Sequence, residues 1–79
     1  MKIEILGSGC PKCIATEEIV RKAVKKLGIK AEVAHVYDLD KIIEYGVMLT
    51  PAVVINGKIK MQGKIPTIEE AEKMIKEEL

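Results

Sequence analysis

Lys2-Ile3-Glu4-Ile5-Leu6-Gly7-Ser8-Gly9-Cys10-Pro11-Lys12-Cys13 runs from a short apolar stretch through a glycine-rich turn into the two cysteines of the chain, three residues apart. The first five residues are mostly apolar with two β-branched isoleucines, which reads as a strand. Gly7-Ser8-Gly9 has no helix-forming side chain and reads as a turn. From Cys13 onward, the apolar or small positions 13, 16, 20, 23, 24 and 27 recur at helical spacing, while Glu17, Glu18, Arg21, Lys22, Lys25 and Lys26 fill the other face. Glu17 with Arg21 and Glu18 with Lys22 make favourable i,i+4 pairs on what reads as a solvated surface, and Gly28 ends the helix. The cysteine pair is therefore expected where a strand hands over to a long amphipathic helix.

Residues 30–36 carry Val33 and Val36 in imperfect alternation and predict a second strand, with Lys30 and Glu32 suited to a sheet edge. His35 lies on that strand, packed or exposed. Asp38 or Asp40 can cap a short helix through Tyr45, with Leu39, Ile42 and Ile43 on one face and Gly46 as terminator. Ala52–Ile55 and Lys58–Gln62 read as strands joined by Asn56-Gly57, the pair preferred in a type I′ turn, with the lysines pointing to water. Thr67-Ile68-Glu69-Glu70 is a capping box opening a last helix striped by Ile68, Ala71, Ile75 and Leu79. The order β-α-β-α-β-β-α makes the first two strands parallel through a helical crossover and the last two an antiparallel hairpin. The expected fold class is α/β, one mixed four-stranded sheet with helices on both faces.

The 79 residues are expected to form a single domain, 1–79, with one modest core, since a chain this short buries only about 60% of its unfolded surface. A net charge of +1 offers no field for nucleic acid. The longest apolar runs are too short for a membrane span or a secretory leader, so the expected partners include neither membrane nor nucleic acid and the expected location is the cytoplasm. In that reducing compartment a lone cysteine pair is more often catalytic or metal-binding than structural. The dominance of Lys and Glu, with Gln62 and Asn56 the sole amides, is a thermophile bias.

Three chemistries compete for Cys10 and Cys13. A disulfide staple closing so short a loop removes only roughly 2 kcal/mol of unfolded-chain entropy. A tetrahedral metal site needs a second pair of ligands, and His35 is the one histidine. Reversible dithiol/disulfide exchange needs a thiolate near pH 7, well below the free value of about 8.5. A cysteine at the N-cap meets unpaired amide N–H groups and the positive end of the helix dipole, which favour the anion by up to roughly 2 kcal/mol, or about 1.5 pKa units. Pro11 suits the first helical position, where no N–H is required. Lys12 either adds a positive charge beside the thiol or is merely exposed. On this reading Cys10 attacks and Cys13, one turn further in and more buried, resolves the mixed disulfide.

A strand, a glycine-rich turn, Cys-Pro-Lys-Cys at a helix start and Thr50-Pro51 before a hairpin and terminal helix together resemble the thioredoxin and glutaredoxin superfamily. The similarity is greatest to its small thioredoxin-like "redox-active disulfide" branch in prokaryotes, through Leu6-Gly7-Ser8-Gly9-Cys10 and Thr50-Pro51-Ala52. The resemblance implies a thioredoxin-like fold and a thiol–disulfide oxidoreductase acting on protein disulfides, as a monomer and without a cofactor. It also implies a cis Thr50–Pro51 bond with Pro51 near the cysteines and the Thr50 backbone pairing with substrate. Taken alone, a Thr-Pro pair is more often an ordinary strand-start proline. Glu4 resembles by position a buried carboxylate serving as general base for Cys13; the alternative is an exposed charge on a small sheet.

Departures from the family pattern refine the expectation. Gly9 stands where thioredoxins carry Trp, and Pro11 directly after Cys10 is the glutaredoxin order. Yet Gly63-Lys64-Ile65-Pro66-Thr67 replaces the Gly-Gly…Asp segment with which glutaredoxins hold glutathione. A flavin-dependent thioredoxin reductase is thus the expected reductant rather than glutathione. Two rivals remain. A copper or other soft-metal carrier would share the Cys-x-x-Cys after the first strand, but such domains run β-α-β-β-α-β and carry Met where Ser8 stands. A glutaredoxin-like dimer could bridge an iron–sulfur cluster through Cys10 of each subunit.

Overall fold

In a computed structural model, which describes residues 1–79, the opening stretch forms strand β1 (Lys2–Leu6) and, after the glycine turn, helix α1 (Pro11–Leu27). Strand β2 (Glu32–Val36), helix α2 (Leu39–Glu44), strands β3 (Ala52–Ile55) and β4 (Lys58–Gln62) and helix α3 (Ile68–Lys76) complete the order β-α-β-α-β-β-α. The sheet runs β2-β1-β3-β4, with β1 parallel to β2 and antiparallel to β3, and β3 antiparallel to β4.

Strand alternation divides the core between the two faces of the sheet. Ile3, Ile5, Val53 and Ile55 pack with Val20 and Ala23 of α1 and with Ala71, Met74 and Ile75 of α3. Leu6, Ala52 and Val54 face the other way, against Ile42 of α2 and Val47. Helices accordingly cover both faces. Positive φ at both Asn56 (50°) and Gly57 (82°) gives the type I′ turn. Asn56 also stitches the hairpin to β1, its N–H donating to the Lys2 carbonyl while its Oδ1 accepts from the Lys2 N–H.

Four expectations need correction. Strand β2 begins at Glu32 rather than residue 30. Helix α2, capped by Asp38, is too short to bury a full stripe: Ile42 is buried, but Leu39 and Ile43 are 68% and 62% exposed. In α3 the buried positions are Ala71, Met74 and Ile75, and the helix stops at Lys76, which leaves Leu79 exposed. Lys60 does not point to water. Its ammonium lies 3.0 Å from Glu77 and 3.2 Å from Glu78, tying β4 to the end of α3.

Candidate active site

Cys10 is the N-cap of α1, with extended backbone (φ −67°, ψ 165°), and its carbonyl accepts the first helical hydrogen bond from Ile14. Pro11 occupies the first turn, where its missing N–H costs nothing. One turn further on, Cys13 is fully buried, followed on the same face by Thr16, Val20 and Ala23. Both cysteines are free thiols, and their sulfurs lie 2.9 Å apart.

The two thiols are driven in opposite directions. Cys10 is lowered from its ordinary 9.0, first by the hydrogen bond from the Cys13 thiol and next by the Cys13 backbone N–H. Cys13 is raised from the same 9.0, first by burial and then by Cys10. Helix-start amides therefore act as anticipated, but the partner thiol is the larger influence on Cys10. Lys12 contributes through its backbone N–H, and its ammonium is not among the groups that lower Cys10.

Gly7 closes the site from the end of β1. A Cβ there would lie 2.3 Å from Cys13 Sγ and 3.8 Å from Thr50 Cβ, so a backbone without a side chain is the wall against which Cys13 packs. Pro51 is buried, the Thr50–Pro51 bond is cis, and the Pro51 carbonyl accepts from Gly63. The loop before it is held by Gln62, whose Oε1 accepts from the N–H groups of Met48 and Leu49. Cys10, Cys13, Gly7 and Thr50 thus converge on one end of the sheet.

A model of the thioredoxin domain family matches residues 1–76. The chain belongs to that family. Among its relatives, a thioredoxin of Methanocaldococcus jannaschii is 51% identical over 77 residues, 98% of this chain and 84% of the relative. A thioredoxin of Methanothermobacter thermautotrophicus is 39% identical over 75 residues, 95% and 97% of the two chains. A probable thioredoxin of the same organism is 37% identical over 83 residues, all of this chain and 96% of the relative. Thermophilic hosts stand among these relatives, in line with the charge bias of the sequence. The protein is a thiol–disulfide oxidoreductase of the thioredoxin family with protein disulfides as substrates. No helix is long and apolar enough to cross a membrane.

Glu4 is not brought to the cysteines. It is buried on the α2 face of the sheet, opposite the Ile3 and Ile5 face on which α1 packs, and accepts a 2.5 Å hydrogen bond from the Tyr45 hydroxyl. That contact raises the Tyr45 phenol. Beside the pair opens a cavity of about 420 Å³ lined by Lys2, Glu4, Val36, Lys41, Glu44 and Tyr45, none of them in the cysteine motif. The general-base expectation for Glu4 placed it under the active site; strand alternation turns it the other way.

Four residues behind the cysteines make contacts that the sequence did not reveal. Glu17, read as a surface charge, receives Arg21 Nε at 3.0 Å on one oxygen and His35 Nδ1 at 2.6 Å on the other. His35 stacks on Tyr37 with centroids 4.1 Å apart, and the Tyr37 ring covers Gly9, where a Cβ would come within 3.0 Å of it. No spacing in the sequence links residues 7, 17, 35 and 37; the parallel β1–β2 register does, by setting His35 beside Ile5.

Proposed function

We propose that Cys10 opens the exchange reaction and Cys13 completes it. A lowered, part-exposed thiol 2.9 Å from a raised, buried one is the observation that carries this reading. The Cys10 thiolate attacks one sulfur of a substrate disulfide, forming a Cys10–substrate bond and releasing the other substrate sulfur. Cys13 then attacks Cys10 Sγ, a Cys10–Cys13 disulfide forms, and the second substrate sulfur leaves. Two electrons pass to the substrate; the Cys13 proton and one drawn from solvent, which took up that of Cys10 when it ionised, end on the released thiols. Burial raises the Cys13 thiol, which leaves the opening attack to Cys10.

Thr50 offers its backbone to an extended substrate segment, with Pro51 packing beneath it; the support is the exposed position of Thr50 against the Gly7 wall. Pro11 starts the helix and Lys12 supplies an amide to the Cys10 sulfur. Residues 1–79 act as one domain, as a monomer in the cytoplasm. A thioredoxin reductase is the electron donor in preference to glutathione, a choice supported by Gly63–Thr67 and by relatives that are named thioredoxins.

Alkylation followed from pH 5 to 9 tests the assignment. Cys10 should react faster than Cys13 at neutral pH, Cys13→Ser should trap a mixed disulfide with substrate, and Cys10→Ser should abolish turnover. A faster Cys13 would reverse the roles. Turnover of a model disulfide with a thioredoxin reductase and with glutathione, in separate assays, identifies the donor.

A further inference from the structure

His35 is 5% exposed at its side chain, and both of its ring nitrogens face acceptors. Nδ1 lies 2.6 Å from Glu17 Oε1, and Nε2 lies 3.3 Å from the Gly7 carbonyl oxygen. A neutral imidazole carries one N–H and must turn a lone pair toward one of these oxygens, whereas the imidazolium donates to both. Its partner Glu17 is held below its ordinary 4.5, first by His35 and then by Arg21. Arg21 in turn donates to the Val33 carbonyl at 3.1 Å, so the carboxylate is pinned between α1 and β2. On the remaining side stands Tyr37, stacked nearly parallel at 4°.

The far end of this chain of contacts is the wall of the active site. Gly7 donates its N–H to the Val36 carbonyl at 3.1 Å, and His35 lies against its carbonyl, so the residue is held through both of its peptide groups. Cys13 Sγ packs directly on that residue. We propose that His35, anchored by Glu17, is a positioning residue for thiol–disulfide exchange: it fixes the Gly7 wall and thereby the trajectory of Cys13 toward the Cys10 sulfur. The proposal rests on Cys13 being the resolving thiol.

Resolution of a preformed Cys10–substrate mixed disulfide, timed separately from the first attack of Cys10 on substrate, reads this directly. His35→Gln should slow resolution about tenfold, within what an ångström-scale misplacement costs, and slow the first attack far less. Glu17→Gln leaves the ring in place but removes its anchor and should slow resolution in the same direction. Nitrogen NMR of the His35 ring, which needs no activity, should show both nitrogens engaged in hydrogen bonds. A His35→Gln protein that resolves at the wild-type rate or slows both steps alike, or a wild-type ring with one nitrogen free of any hydrogen bond, overturns the proposal while leaving the exchange reading intact. A wild-type protein that reduces no disulfide overturns both.

Discussion

Gly7 is fixed by space rather than by a backbone angle that only glycine adopts. A methyl group there would meet Cys13 Sγ at 2.3 Å and Cys13 Cβ at 3.2 Å, distances at which one of the two must move. Gly7→Ala should therefore destabilise the fold by roughly 1–3 kcal/mol, as overpacking in a close-packed site does. It should also lengthen the lifetime of the mixed disulfide, because the displaced atom is the resolving sulfur. Denaturant unfolding reads the first effect and quenched-flow trapping the second. Gly7 was legible in the sequence as a turn residue, and Cys10 and Cys13 as a reactive pair at a helix start, because both signals are local. That the Cys13 thiol exceeds the helix amides as an influence on Cys10 was not legible, since it depends on where two side chains point.

Elements whose ends carry their own chemistry were the easiest to read. The Thr67–Glu70 capping box is present in full, with the Thr67 hydroxyl accepting from the Glu70 N–H and the Glu70 carboxylate accepting from the Thr67 N–H. Thr67→Ala should cost about 1 kcal/mol of stability, read by denaturation. Glu70 is lowered from its ordinary 4.5, first by the Thr67 N–H and then by Lys64. A depressed folded-state value means its contribution is complete above that ordinary value and is lost as pH falls through the folded one. Wild type and Glu70→Gln should accordingly differ at neutral pH and converge in acid, as thermal unfolding at each pH would show. Helix α2 was harder to read. Six residues make under two turns, so only Ile42 reaches the sheet, and the apolar pattern of Leu39 and Ile43 promised more burial than the geometry delivers.

At the scale of the whole molecule, the sheet separates the redox pair from the buried carboxylate. Tyr45→Phe removes the hydroxyl that donates to Glu4 and should destabilise the protein by roughly 1–3 kcal/mol, the cost of leaving a buried acceptor unmet. Because the pair faces α2, mixed-disulfide resolution should keep its wild-type rate in Tyr45→Phe and in Glu4→Gln; a slowed rate in either would return Glu4 to the mechanism. Element order, strand directions and the hairpin were all legible, resting on periodicity and turn chemistry. Which residues share a face of the finished sheet was not, because that is a property of register. One consequence follows for synthesis of the chain. Central β1 pairs on one side with β3, whose residues are made some fifty positions later. Until Ala52–Ile55 have left the ribosome, a nascent polypeptide already displays two cysteines with no finished scaffold to govern them, open to whatever oxidant or wrong sulfur it meets first.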